Sequence, residues 1–272
     1  MSLTAVVRRP AVAGYFYPAD PGALRAALER LTRGGAAQPA HAVIIPHGSL
    51  QHAGAVIGAT VAGTVIPRRV IIVGPSHTGV APPWSVLPAG AYRTPLGDVP
   101  VDEPLAEALA QRCPFLEPDP WTQHGEHAVE MLLPFLQYAG PADLSLVPIV
   151  HGSDRPEELA QLGQALAEVV RQQPEPVLLM ASSDLSHYAP HARIQALDRL
   201  LLDAVEQLDG PGLQRTVASE RITMCGVGSV GAVMDAAVRL GARSARTLAY
   251  GTSAGGGGDP LSTVGYAGVH IL

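Results

Sequence analysis

Residues 69–77 read R-V-I-I-V-G-P-S-H. Four β-branched residues in an unbroken apolar run describe a strand buried on both faces, because a half-exposed strand would alternate apolar with polar. The Gly-Pro pair ends the run, and the turn that follows delivers His77. Two other stretches repeat this pattern. Residues 42–47, A-V-I-I-P-H, deliver His47, and residues 178–187, L-L-M-A-S-S-D-L-S-H, deliver Asp184 and His187.

Working outward, Ala/Leu-rich stretches predict helices over 22–33, 53–65, 102–112, 127–138, 155–172, 192–207 and 228–240. Further strands are expected at 144–150, 245–251 and 262–271, with a β-excursion over 84–94. Buried strands alternating with helices predict the α/β class: a single domain with a central, largely parallel mixed β-sheet flanked by helices. The last two strands add an antiparallel edge, joined through the glycine run Gly255–Pro260, which reads as a flexible surface loop. No linker divides the chain, so residues 1–272 read as one domain.

Composition narrows the function. The chain is 47% hydrophobic and 15% charged, so it can build a core and is not disordered. A net charge of -6 without a Lys/Arg stripe argues against nucleic acid or an anionic membrane as the main partner. No apolar run is long enough for a membrane span, and residues 1–10 lack the core of a signal peptide. Two cysteines, Cys113 and Cys225, do not make a disulfide framework, so a reducing, cytoplasmic setting is expected.

In open α/β sheets, ligands bind beyond the carboxyl ends of the strands, and right-handed crossovers place those ends on one edge. A lone histidine after a strand is usually a surface or hydrogen-bonded structural residue. Three such turns have one geometric cause, and they point to one site. Ser182 and Ser183 lack the G-x-S-x-G elbow of a hydrolase, so they are expected to bond backbone groups of their turn. In Q-H-G-E-H-A-V-E, residues 123–130, His127 and Glu130 are spaced to share a helix face over the same pocket, where His127 would be ligand, base or orienting partner. The bland alternative is a helix cap with a solvated acidic turn. In T-M-C-G-V-G-S, residues 223–229, Cys225 precedes a helix whose dipole favours a thiolate. Cys113, in R-C-P-F, reads as packing. Two imidazoles with a thiolate suit zinc, iron or copper.

Several motifs in order carry a wider resemblance: R-R-P-A-V-A-G-Y-F-Y-P (8–18), I-I-P-H, V-G-P-S-H, Y-R-T-P-L-G-D-V (92–99), G-E-H-A-V-E-M-L-L-P-F-L-Q (125–137), S-S-D-L-S-H-Y (182–188), M-C-G (224–226) and A-Y-G-T-S (249–253). Together they resemble the Memo family, whose bacterial members are called AmmeMemoRadiSam system protein B. The resemblance covers essentially the whole chain. It implies a fold similar to the class III extradiol dioxygenases, which hold non-haem Fe(II) with two histidines and a glutamate. In the Memo pattern the matching metal positions are His47, His77 and Cys225, with Asp184 and His187 lining the pocket. It further implies a functional link to a radical-SAM protein and an AMMECR-type protein. Two positions depart from the family pattern. P-H-A-G-Y is replaced by Pro46-His47-Gly48-Ser49-Leu50, and the second of two adjacent histidines by Thr78, both on the pocket wall. His52 is expected on a helix surface.

Two functions follow as expectations. In the first, Fe(II), or else copper or zinc, is held by His47, His77 and Cys225 in an oxygenase-like oxidoreductase, with His187 as acid/base oriented by Asp184. Because a thiolate replaces a carboxylate, activity on ordinary catechols is expected to be weak or absent. In the second, the same pocket binds a peptide or small ligand without catalysis. A zinc hydrolase matches poorly.

Overall fold

The structure, a computed structural model, describes residues 6–79, 82–119 and 121–272. In chain order the strands are β1 Val6–Arg8, β2 Ala42–Ile45, β3 Arg69–Pro75, β4 Trp84–Val86, β5 Gly90–Thr94, β6 Gly97–Pro100, β7 Glu117–Pro118, β8 Ser145–His151, β9 Val177–Ser182, β10 His187–Ala189, β11 Ala245–Thr252 and β12 Thr263–Ile271. The helices are α1 Pro21–Leu31, α2 Gly54–Ala62, α3 Glu103–Arg112, α4 Leu133–Ala139, α5 Pro156–Arg171, α6 His191–Glu206, α7 Gly210–Glu220 and α8 Val227–Leu240.

The sheet is the mixed, largely parallel one that the runs predict. Its order is β10-β12-β2-β9-β3-β8-β4-β7, with β11 also paired to β12. The four central strands β2, β9, β3 and β8 are parallel. Every residue of β2 and β9 is buried, although successive side chains point to opposite faces. Both faces must therefore be covered. Helix α2 packs on β2, β11 and β12 with α1 and α4 against it, α8 packs on β2, β3 and β9 with α5 and α7 against it, and α6 packs on β10, β11 and β12. Both margins turn antiparallel, β12 against β2 and β4 against β8. A small sheet, β1-β5-β6, lies apart from the main one, so the expected excursion over 84–94 divides between two sheets.

Three local expectations need correction. The helix expected over 127–138 begins only at Leu133, after a 3-10 turn at Glu130–Leu132. Pro134 explains this, since proline is tolerated in the first turn of a helix but not in its interior. Helix α7 was not expected. Asp209 caps it by accepting from the Gly212 amide at 2.8 Å, and Pro211 sits in its first turn. The Gly255–Pro260 segment includes the end of an ordered 3-10 turn, Ser253–Gly256, closed by Gly257 in the left-handed region. Among the described residues, no helix is long and apolar enough to cross a membrane.

Candidate metal centre

The parallel strands bring their carboxyl ends to one edge. Across the sheet β2 leads to His47, β9 to Asp184 and β3 to His77. A fourth element completes the group: Cys225 lies at the start of α8. Donor atoms of His47, His77 and Cys225 all lie within 4.8 Å of one another. The Cys225 Sγ is 3.3 Å from His47 Nε2, and the rings of His47 and His77 meet edge to face with centroids 5.0 Å apart. His127 joins them, stacked on His77 at 4.4 Å and edge-on to His47 at 5.4 Å.

The close approach of α8 to β9 depends on Gly226. A Cβ there would fall 2.5 Å from the Ser182 carbonyl oxygen and 2.6 Å from Ser183 Cβ. The departure at Gly48 also has a packing reason, because a methyl group there would meet the Tyr266 ring at 2.9 Å. His47 is 1% exposed. The side chains of His77 and His127 retain 33% and 19% of their exposure, so the cluster reaches solvent on their side.

Glu126 binds this site together. Its carboxylate accepts from the His77 amide, from His77 Nδ1 at 2.8 Å, and from the amides of His127 and Ala128 at 2.7 and 2.8 Å. Burial would raise its pKa, yet these bonds and the His77 charge hold it at about 2. For His77, burial acts downward, but the Glu126 hydrogen bond and charge outweigh it and the pKa is raised. The carboxylate contacts of His47 and His127 are longer, Nε2 to Asp184 at 4.0 Å and Nδ1 to Glu126 at 3.4 Å. Burial, reinforced by the neighbouring imidazoles, holds these two rings at about 3 and about 4, so both are neutral near pH 7.

Asp184 departs from its expected role. Its Oδ1 accepts from the amides of His47 and Gly48 at 2.9 and 3.2 Å, so it fixes the first histidine turn. It makes no hydrogen bond to His187 among the described residues; the His187 ring is held through Nδ1 by the Thr223 carbonyl. Burial raises the Asp184 carboxyl against the pull of the His47 amide. Cys225 also reverses an expectation. Burial and the Asp184 carboxylate push its thiol well up. The helix dipole does not win: the Asp184 amide, donating to Sγ at 3.3 Å, also favours the thiolate, but burial and the Asp184 carboxylate outweigh both.

Glu130 does not join His127 over the pocket. It is buried and holds the N-terminal segment: Arg8 through an ion pair, the amides of Ala11 and Val12 at 2.8 and 3.1 Å, and the Tyr17 hydroxyl at 2.5 Å. Arg8 in turn bonds the carbonyls of Gln123 and Glu126, and Phe16 packs edge-on against the His127 ring at 5.1 Å. The motif at 8–18 therefore braces the loop that carries Glu126 and His127. Ser183 bonds a backbone group of its own turn as expected, whereas Ser182 reaches the Ala128 carbonyl and the His47 ring instead, and Cys113 is buried at the end of α3. His52 lies in the turn before α2, 3.2 Å from Ser49 Oγ.

His151, a strand-end histidine that the sequence reading missed, ends β8 in the stretch V-P-I-V-H. It stacks on Trp84 at 4.5 Å and bonds Ser153 O at 3.1 Å and Ser229 Oγ at 2.8 Å, away from the cluster. Burial holds it at about 4. An unfolded chain binds this proton near 6.5, so the unfolded state gains protons first and stability falls as pH drops from 6.5 towards 4. The contribution lost is at most about 3 kcal/mol. Urea unfolding between pH 7 and 5 should show a shallower loss in His151→Asn than in the unmodified chain; equal slopes would exclude the assignment. An apolar groove of about 540 Å³ lies elsewhere, between α5, α7 and α8, and none of these site residues lines it.

The family model described as Memo-like protein matches residues 8–270. A MEMO1 family protein of Methanopyrus kandleri is 34% identical over 278 residues, covering 96% of this chain and 98% of the relative. One from Methanothermobacter thermautotrophicus is 34% identical over 275 residues, covering 96% and 99%. Among solved structures, an uncharacterized protein from Escherichia coli K12 superposes with a TM-score of 0.52 at 14% identity, covering 85% of this chain and 99% of that one, which bears on the fold alone. On the family model and these near-complete alignments, the chain belongs to the Memo family.

Proposed function

We propose that this chain is a metal-dependent redox protein whose ion is held by the imidazoles of His47 and His77 and the sulfur of Cys225. The observation that carries it is the meeting of three soft or borderline donors, from positions 47, 77 and 225, within 4.8 Å. The donor set fits a metal on physical grounds. A buried thiol beside a carboxylate resists ionisation, and a bound cation is the charge that would release its proton. Iron(II) is the ion we favour from the family resemblance; copper and zinc suit the same donors. When bound, the metal would supply redox chemistry and open coordination positions for oxygen or substrate.

The chain's own residues do the rest. Asp184 holds the His47 turn by its backbone amides. His187, with Nδ1 occupied by Thr223, keeps Nε2 for taking or giving a proton. Its neighbour Tyr188 has φ 59, a left-handed backbone that a bulky residue adopts only under constraint, as at functional sites. His127 stays neutral beside both ligands and can accept a proton. The resemblance extends the proposal to a functional link with a radical-SAM protein and an AMMECR-type protein.

Elemental analysis of protein purified without oxygen or chelator tests the reading. About one equivalent of iron, copper or zinc supports it. Metal-free protein that takes up none of the three on titration would leave the pocket as a binding module. Iron-loaded protein is expected to cleave catechols weakly or not at all, since a thiolate stands where the dioxygenases use a carboxylate. Robust ring cleavage, followed by the absorbance of the opened product, would contradict that step.

A further inference from the structure

We infer that the tripeptide Glu126–Ala128 sets the ring tautomers of both proposed histidine ligands, through Glu126 for His77 and through Ser182 for His47. The inference rests on the metal reading only for its purpose; the tautomers themselves follow from hydrogen-bond directions. The Ser182 hydroxyl has a single proton. Its oxygen lies 2.7 Å from the Ala128 carbonyl, which can only accept, so that proton is committed there. Towards His47 Nδ1, at 2.8 Å, the same oxygen can then only accept. His47 Nδ1 therefore carries the hydrogen and Nε2 carries the lone pair, on the side where Cys225 Sγ lies at 3.3 Å.

His77 reaches the same state by a different partner. An ionised carboxylate only accepts, so Glu126 Oε1, 2.8 Å from His77 Nδ1, requires the hydrogen on Nδ1 and leaves Nε2 free. The two clamps share a base. Glu126 also takes the Ala128 amide at 2.8 Å, and the Ala128 carbonyl anchors Ser182. Both rings are thus turned and protonated so that Nε2 is the only lone pair either can give a metal, the role that hydrogen bonds behind a ligand serve in metal sites. Glu126 and Ser182 are positioning residues: neither is among the three proposed donors.

The tautomers can be read without any metal. Long-range ¹H–¹⁵N correlation spectra of the metal-free full chain, labelled in histidine and held at about pH 8.5 so that ordinary imidazoles are neutral, distinguish hydrogen on Nδ1 from hydrogen on Nε2. Hydrogen on Nδ1 is expected for both His47 and His77. Ser182→Ala should move His47 towards the Nε2–H form that a neutral histidine prefers in water, while leaving His77 unchanged. Ser182→Thr, which keeps a hydroxyl, should restore His47. Glu126→Gln should perturb His77 most, reaching His47 only through the Ala128 amide. Cobalt(II) affinity should fall by roughly 10–100-fold in Ser182→Ala and Glu126→Gln and recover in Ser182→Thr. Hydrogen on Nε2 of either ring in the unmodified chain, or an unchanged His47 tautomer in Ser182→Ala, would overturn the inference. The two readings fail separately. Unmodified protein with the expected tautomers but no cobalt uptake sinks the metal reading and leaves the clamp. Cobalt uptake that Ser182→Ala leaves unaltered sinks the clamp and leaves the metal reading.

Discussion

Glu130→Ala is expected to destabilise the protein by about 3–5 kcal/mol, the range for removing one partner of a buried ion pair. Both side chains of the pair are fully buried, so the Arg8 guanidinium would be left as an uncompensated charge in the core. The loss does not stop at the charge. Glu130 also satisfies the amides of Ala11 and Val12 and the Tyr17 hydroxyl, and three donors would be orphaned together. The Arg8 ring contact with Tyr92, at 4.9 Å, and its bonds to the Gln123 and Glu126 carbonyls would survive only if the guanidinium stayed in place. Urea unfolding measures the effect as a lower midpoint with an unchanged slope. A loss below about 1 kcal/mol, the scale of an exposed pair, would mean that the N-terminal segment is not clamped as described. Because Arg8 bonds the loop that carries Glu126 and His127, weaker metal uptake should accompany the lost stability.

Cys225→Ala is expected to leave the fold in place and abolish tight metal binding. The substitution removes a partly buried sulfur and leaves the Asp184 amide without its acceptor, so the stability change should stay within about 1–3 kcal/mol. The affinity loss should exceed the 10–100-fold caused by removing a group behind a ligand, because a donor itself is gone. Two readouts separate this from misfolding. Titration with cobalt(II) or copper(II) should lose the near-ultraviolet band of sulfur-to-metal charge transfer. Unfolding and circular dichroism should remain close to those of the unmodified chain. Metal binding should also release a proton from Cys225 in the unmodified protein, since burial and Asp184 keep the thiol protonated without a cation; the variant should release fewer. A variant that binds metal as tightly as its parent would remove Cys225 from the site.

The parts of the molecule legible from sequence are those decided by local burial. The runs at 42–45, 69–75 and 177–182 admit one reading, because apolar residues on both faces need cover on both faces, and the parallel order of β2, β9 and β3 then brings His47, Asp184 and His77 to one edge. What could not be read depends on contacts distant in sequence. Glu126 meets His77 across 49 positions, and nothing in H-G-E-H-A marks its carboxylate as the partner of a strand-end turn. The acidity of Cys225 is hidden for the same reason: the helix start is visible in M-C-G-V-G, but the burial of the thiol and the Asp184 carboxylate beside it, 41 residues earlier in the chain, are not. Asp184, expected to orient His187, bonds the His47 turn instead, 137 residues away. Other errors were local and avoidable. Pro134 forbids a helix running unbroken from 127 to 138, and His151 has the same strand-then-histidine form as His77.

The central claim is that His47, His77 and Cys225 jointly hold one metal ion. Anomalous scattering from crystals of protein prepared without oxygen or chelator, then supplied with iron(II), tests it most directly. The account predicts a single strong anomalous peak bonded to Nε2 of His47, Nε2 of His77 and Sγ of Cys225. A peak bonded instead to Nδ1 of either ring, a peak away from Cys225, or no peak at this edge of the sheet in iron-soaked crystals would contradict it.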